Sequence, residues 1–189
     1  MDLINNIKEH YYNHWNEFYE FKMNSGSISK LTADFRVLKF RPTEKRNAWT
    51  YATCGMSEDN NKQGLELFIL APTENDFLIE LLTAISHYHM TGNTLGSGHT
   101  VNFGYPWYIG SKCEYGLISL PYLDGPDLEW LRTDSKDVRF LWLIPITKDE
   151  VQYKKIYGIE SLESLFENSS FNYMDPFRES VISDSLPSK

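Results

Sequence analysis

The most constraining feature of this 189-residue sequence is an apolar segment that runs into a loop rich in glycine and aromatic residues, spanning residues 71 to 107. The stretch Pro72 to Phe77 predicts a helix N-terminus, in which Thr73 caps backbone N–H groups and nearby acids complement the helix dipole. Apolar residues then recur at steps of one and three: Phe77, Leu78, Leu81, Leu82, Ile85 and Tyr88. This stripe is wide enough to pack on a sheet, so we expect an interior helix that ends near Gly92.

The loop after this helix combines backbone freedom with aromatic contact area. Its glycines are Gly92, Gly96, Gly98, Gly104 and Gly110, and its aromatic residues include Tyr105, Trp107 and Tyr108. No Lys or Arg lies between Lys62 and Lys112, and the run from Gly96 to Val101 lacks the lysine of a P-loop and the third glycine of a dinucleotide fingerprint. Two interpretations remain: a surface loop held down by its own aromatic residues, or a recognition surface.

Length and composition predict one domain that buries its own core. No apolar run approaches the ~18 residues that a membrane span requires. The N-terminus has no secretory pattern, and two cysteines cannot form a disulfide framework. We therefore expect a cytoplasmic protein with reduced thiols, no membrane partner and a disordered tail at residues 183 to 189.

The net charge of −8 is unevenly distributed along the chain. Residues 1 to 50 carry a net charge of +2, whereas residues 51 to 88 and 124 to 189 carry −5 each. This bias disfavours nucleic-acid binding, which depends on contacts between basic residues and phosphates, and it suits a basic protein partner. The acids expected to reach outward from turns and loops are Glu58, Asp59, Asp124 and Asp127.

The remaining periodicities predict an α/β sandwich of the α+β type, a single domain with a central mixed sheet flanked by helices. Residues 3 to 21 have the spacing of an amphipathic helix, with His14 on its apolar face. Strands are expected over residues 31–40, 49–54, 64–70, 116–123 and 138–146. Thr147 is expected to cap a helix that Gly158 ends, and residues 160–167 form the next helix.

No pattern supports a metal, a cofactor or catalysis, and we expect none of the three. His10 and His14 lie one helical turn apart without a third ligand, and His87 and His89 would point to opposite sides of a helix. The sequence Gly55-Met56-Ser57 has only part of a serine-hydrolase elbow, so a turn is the favoured interpretation. A hydrolase built on His99 and a carboxylate such as Glu66 remains the alternative among enzymes.

Several stretches together resemble the Suppressor of Fused domain family. The matching motifs begin with the strand and turn at residues 49–57, followed by Gly64-Leu65-Glu66-Leu67 and Ile85-Ser86-His87-Tyr88. They continue with the run from Gly92 to His99, the strand Phe140 to Thr147 before Asp149-Glu150, and Met174-Asp175-Pro176. The resemblance covers most of residues 35 to 180, and it implies one such domain over residues 1–182.

The resemblance implies a protein-binding role. Animal members hold a transcription-factor peptide by strand addition, and short bacterial members resemble immunity proteins that bind and neutralise a cognate toxin. Tyr88 matches a peptide-contacting tyrosine, whereas the Asp that animal members have between the residues matching Gly98 and His99 is missing here. We therefore expect a non-enzymatic toxin-neutralising module, with a peptide-binding adaptor as the alternative. The expected contact residues are Tyr88, His99, Tyr105, Trp107, Tyr108, Glu58, Asp59, Asp124 and Asp127.

Overall fold

The computed structural model describes residues 2–22, 31–58 and 63–182. The helices are α1 (Leu3–Trp15), α2 (Phe77–Met90), α3 (Pro126–Glu129), α4 (Lys148–Tyr157) and α5 (Ile159–Asn168), with a short 3-10 helix at Met56–Glu58. The strands are β1 (Phe18–Phe21), β2 (Arg36–Phe40), β3 (Trp49–Cys54), β4 (Gln63–Ala71), β5 (Thr100–Asn102), β6 (Cys113–Ser119), β7 (Trp130–Leu131) and β8 (Asp137–Thr147). No helix in these ranges is long and apolar enough to cross a bilayer.

The strands form one mixed eight-stranded sheet, which confirms the predicted α+β class. The strand order is β1-β2-β3-β4-β8-β6-β5, and β7 pairs with β8. Neighbouring strands from β1 to β4 are antiparallel, whereas β4 and β8 run parallel. A parallel pair requires a long crossover, and its strands are usually covered on both faces. The nearly continuous apolar run of β8 agrees with coverage on both faces, because almost all of its residues are buried.

The chain divides into two compact units. The first unit comprises residues 1–97 and 118–143, and the second comprises residues 98–117 and 144–189.

Aromatic rings form the centre of the first unit. Tyr11 stacks on Trp15 with ring centroids 4.9 Å apart, and it meets Phe140 edge-on at the same distance. Trp15 also packs edge-on against Phe40 and Phe68. Such pairs add about 0.5–1.5 kcal/mol each beyond the area they bury. They join α1 to three strands, so the predicted amphipathic helix does pack against the main body.

The predicted helix over residues 3 to 21 is wrong after Trp15. Asn16 takes φ 65° and ψ −141°, which ends α1, while its N–H still donates to the Tyr12 carbonyl. The chain then continues as β1, where Phe18 pairs with Phe40 of β2. Phe and Tyr favour strands, and pairing with β2 outweighs the helical spacing of Phe18 and Tyr19.

Two other predicted element starts are also wrong. Strand β2 begins at Arg36 rather than Leu31, because the chain turns at residues 32–35 with the Phe35 N–H donating to the Thr32 carbonyl. Helix α2 begins at Phe77, with Asp76 at the N-cap position in place of Thr73. The acids before α2 serve another purpose, because Glu74 and Asp76 both pair with the buried Lys39.

A buried ion pair organises the second unit. Arg178 donates to both carboxylate oxygens of Glu150, at 2.7 and 2.8 Å. Burial lowers the pKa of Arg178, but the hydrogen bonds and charge of Glu150 carry this pKa above its ordinary value. Glu150 also accepts the Thr147 N–H in a capping box that begins α4, which confirms the predicted cap. One carboxylate thus ties the start of α4 to the C-terminal segment.

Candidate functional site

The aromatic loop, residues 103–112, is anchored to the start of β6 within the second unit. The Phe103 N–H donates to the Glu114 carbonyl at 2.9 Å, and the Trp107 N–H donates to the Cys113 carbonyl at 3.1 Å. The side chain of Trp107 is only 1% exposed. Trp107 was expected to belong to an accessible surface, and its burial contradicts that expectation. The indole instead holds the loop in place from inside.

Other apolar side chains of the loop face solvent. Ile109 is 93% exposed and Tyr105 is 46% exposed. Tyr108 is half-buried and meets Phe177 edge-on with ring centroids 5.9 Å apart, and Phe177 is itself 60% exposed. We call these four residues the aromatic-loop surface. Exposed apolar groups on an anchored loop are typical of protein-binding surfaces.

Sequence reasoning missed two members of this surface, Ile109 and Phe177. Ile109 was detectable, because an isoleucine beside Tyr108 and Gly110 has no apolar periodicity that would bury it. Phe177 follows Pro176 in the last of the family motifs, but its contact with the loop depends on the fold. The contact is close: a side chain at Gly110, which has φ +82°, would place its Cβ 3.3 Å from the Phe177 ring.

The segment that precedes β5 is fixed by Lys154 of α4. The Lys154 ammonium donates to the Gly98 carbonyl and to the Thr100 hydroxyl, the latter at 2.8 Å. Burial lowers the pKa of Lys154, with a smaller contribution from Lys155. His99 lies between these two contacts, and its side chain is exposed. The predicted contact residue His99 is therefore presented to solvent by a restrained backbone.

The second unit also carries an acidic helix face. In α5, Glu160, Glu163 and Glu167 are spaced by three and four residues, which places them on one side of the helix. Glu160 and Glu167 are exposed, and Glu163 is half-buried. These three glutamates were not among the contact residues predicted from sequence, although their spacing of three and four residues was visible there.

The four acids predicted to reach outward have different environments. Asp127 is exposed in the first turn of α3. Glu58 is half-buried and accepts a hydrogen bond from the Thr32 hydroxyl at 2.5 Å. The side chain of Asp124 is only 10% exposed and pairs with Arg46, so it does not reach outward as expected. Asp59 lies outside the described residues.

The remaining predicted contact, Tyr88, belongs to the first unit, whereas the aromatic-loop surface belongs to the second. Tyr88 is half-exposed, and the buried residue of the last turn of α2 is His89. The His89 ring nitrogen Nδ1 accepts the Leu95 N–H at 3.0 Å, which holds the chain after α2. An outward Tyr88 is available to a partner.

The catalytic alternative lacks an accessible carboxylate at Glu66. Its side chain is fully buried and accepts hydrogen bonds from the hydroxyls of Thr53 and Ser57 and from three backbone N–H groups at Gly55, Met56 and Ser57. Burial raises the pKa of Glu66 above its ordinary value, and the hydrogen bonds from Ser57, Thr53 and Gly55 offset only part of this rise. Ser57 is also fully buried within the 3-10 helix. The geometry therefore describes a carboxylate that fixes a turn, as the favoured interpretation of Gly55-Met56-Ser57 anticipated.

The two histidines of α1 likewise have structural partners. In α1 the His14 Nδ1 donates to the His10 carbonyl, and the His10 Nε2 donates to the Leu128 carbonyl, each at 2.8 Å. Within the part of the chain that the structure describes, no three His, Cys, Asp or Glu side chains are grouped to hold a metal ion.

Comparison with known proteins agrees with this fold. The family model described as Suppressor of fused protein (SUFU) matches residues 32–179. A SUFU homologue from Neisseria gonorrhoeae FA 1090 superposes with a TM-score of 0.84 at 32% identity, covering 96% of this chain and 97% of that one. Over 62 residues the chain is 36% identical to Immunity protein YqcF of Bacillus subtilis strain 168, a match that spans 33% of this chain and 32% of the Bacillus protein.

More distant structures share the fold. A chain of a Sufu–Fu complex superposes with a TM-score of 0.67 at 18% identity, covering 95% of this chain and 91% of that one. Drosophila Suppressor of Fused gives 0.68 at 17% identity, covering 95% of this chain, which spans 50% of the Drosophila chain. The family match over most of the chain and the full-length likeness to the Neisseria homologue lead to one conclusion: the chain belongs to the Suppressor of fused protein (SUFU) family.

Proposed function

We propose that this protein is a non-enzymatic immunity protein that neutralises a cognate toxin by binding it directly. The observation that carries the proposal is the aromatic-loop surface, which presents Tyr105 and Ile109 to solvent on a loop anchored by the buried Trp107, beside the exposed Phe177. A rigid loop loses little conformational entropy on binding, so its exposed aromatic and aliphatic groups contribute efficiently to affinity.

The acidic face of α5 supports a basic toxin as the partner. Complementary charge raises the association rate, and the apolar groups of the aromatic-loop surface then slow dissociation. The partial likeness to Immunity protein YqcF favours a toxin over other protein partners.

The test is a growth assay in cells that express the toxin domain encoded beside this protein's gene. The wild-type chain is expected to restore growth, and the double variant Tyr105→Ala/Ile109→Ala is expected to fail while reaching the same cellular level. A matched control is Tyr12→Ala/Tyr19→Ala, which removes two exposed tyrosines of the first unit. Equal protection by all three proteins would contradict the proposal.

Strand addition by an extended peptide is a second candidate, favoured by the position of β5. This three-residue strand is the last in the sheet order, and edge strands offer backbone groups to an added strand. Hydrogen exchange of the β5 amides with and without the toxin domain separates the two candidates. Protection of β5 would indicate strand addition, whereas protection confined to residues 103–112 would indicate contact through side chains of the aromatic loop.

A further inference from the structure

A cavity of about 590 Å³ lies in the first unit, and none of its lining residues belongs to the aromatic-loop surface or to α5. Its walls are the end of α1 at Trp15 and Asn16, the connection from β2 to β3 at residues 41–46, and Leu123 with Asp124. The positive φ of Asn16 turns the chain at the end of α1 and thereby shapes one wall.

Asp124 is the buried polar group of this cavity. Its Oδ1 accepts from the Trp15 indole N–H at 2.8 Å and from the Arg46 guanidinium. Its Oδ2 is buried and finds no hydrogen-bond donor among the residues that the structure describes. A buried carboxylate oxygen without a donor is unfavourable, so this atom is suited to receive an N–H or O–H group from a ligand.

The charges around the cavity indicate the sign of the ligand's charge. Arg46 already compensates the charge of Asp124, and its guanidinium lies 4.7 Å from the centroid of the Trp15 ring. Arg41 and Lys45 line the same cavity and are exposed. Among the residues that the structure describes, Glu44 is the one further acid in its lining. A ligand cation would be repelled here, whereas a carboxylate would be attracted.

We propose that this cavity is a second binding site, for an acidic peptide segment of a partner protein. A backbone N–H of the segment donates to Asp124 Oδ2, and its carboxylate side chain pairs with Arg41 and Lys45. The site binds acidic groups, whereas the proposed toxin is basic. The protein can therefore hold an acidic partner and a toxin through separate residues.

The test uses N-acetyl-glutamate amide as the probe, titrated into the full ¹⁵N-labelled chain. The probe is expected to shift the Trp15 indole resonance and the Asn16 amide resonance saturably. N-acetyl-glutamine amide has the same backbone N–H groups and a neutral side-chain amide in place of the carboxylate. It is expected to bind about fivefold more weakly, the loss for two partly exposed ion pairs. Equal affinity for the two probes, or no saturable shift, would overturn the proposal and leave a cavity that holds only water.

Two double variants distinguish binding at a defined site from general electrostatic attraction of the probe. Arg41→Gln/Lys45→Gln is expected to weaken the glutamate probe about fivefold, because both bases are exposed and their loss leaves the fold intact. Lys148→Gln/Lys155→Gln makes the same charge change on exposed bases of α4 and is expected to leave the affinity unchanged. Equal weakening by both double variants would show that only net charge attracts the probe, which overturns the site. The result is independent of toxin binding, because these variants lie outside the aromatic-loop surface.

Discussion

At the scale of single residues, neighbouring positions in one loop have opposite roles. Trp107 is 1% exposed, whereas Ile109 is 93% exposed. Sequence alone predicts an aromatic loop with contact area, but it cannot separate the anchor from the contact residues. That separation depends on which side chain faces the interior, and the fold determines this.

Trp107→Ala is expected to lower the free energy of unfolding by about 3–5 kcal/mol, because the missing indole leaves a large cavity. Ile109→Ala is expected to change it by less than about 0.5 kcal/mol, since its side chain already lies in water. Urea unfolding of the two variants measures both values. Comparable destabilisation by the two substitutions would show that Ile109 is packed.

His10 is expected to make the protein less stable in acid. Burial lowers the pKa of His10, and the charge of His14 lowers it further, while the hydrogen bond to Leu128 opposes both. The unfolded chain therefore takes up a proton near the ordinary pKa of 6.5, before the folded chain does. Stability from neutral His10 is present above that pH and is lost as the pH falls below it.

The measurement is urea unfolding of the wild type and His10→Gln at a series of pH values. The variant keeps an N–H donor for the Leu128 carbonyl, and its stability should fall less steeply below pH 6.5 than that of the wild type. Identical slopes would mean that His10 has the same pKa in the folded and unfolded chains.

At the scale of elements, local chemistry predicted the interior of most helices and strands but not several of their ends. Strand β3 and the capping box of α4 agree with the prediction, because alternation and a Thr147–Glu150 pair are local signals. The end of α1 does not agree, because the apolar spacing continues through Phe18 and Tyr19. Three short strands, β1, β5 and β7, were missed because two to four residues are too few to show alternation, and each exists through pairing with another strand.

Asn16→Gly is expected to stabilise the protein by about 1 kcal/mol. Its φ of 65° with ψ of −141° is a conformation that glycine adopts with little strain, and such strain costs about 1–3 kcal/mol in other residues. Glu9→Gly, in the middle of α1, is the matched control and is expected to destabilise by about 0.5–1 kcal/mol. Thermal unfolding compares the two, and destabilisation by both would contradict the strain at Asn16.

At the scale of the whole molecule, the family and the class of fold were predictable, but the surface was not. The order of the motifs along the chain identified the family, although the motifs at residues 92–99 and 174–176 lie in loops and turns. Asp124 shows the limit for surface prediction: it follows a strand in an acidic turn, yet Arg46 and Trp15 from distant segments enclose it. Such pairings between distant segments leave no local pattern.

Acidic residues of α5 are expected to accelerate association with a basic toxin domain. Raising the salt concentration should slow association far more than it changes dissociation, because screening acts on long-range attraction. Glu160→Gln/Glu167→Gln should lower the association rate and its salt dependence, whereas Glu17→Gln/Asp34→Asn, two exposed acids of the first unit, should not. Stopped-flow kinetics measures both, and a rate independent of salt would argue against this role of α5.

The central claim is that the aromatic-loop surface binds the toxin while Trp107 maintains the fold. The most direct measurement is calorimetric titration of the cognate toxin domain with the wild type and Ile109→Ala, beside the melting temperature of each protein. The account predicts an unchanged melting temperature and a dissociation constant raised about thirtyfold or more. This rise corresponds to a loss of about 2 kcal/mol of binding free energy, as is common when a central contact residue is truncated. An unchanged dissociation constant for a fully folded Ile109→Ala protein would contradict the claim.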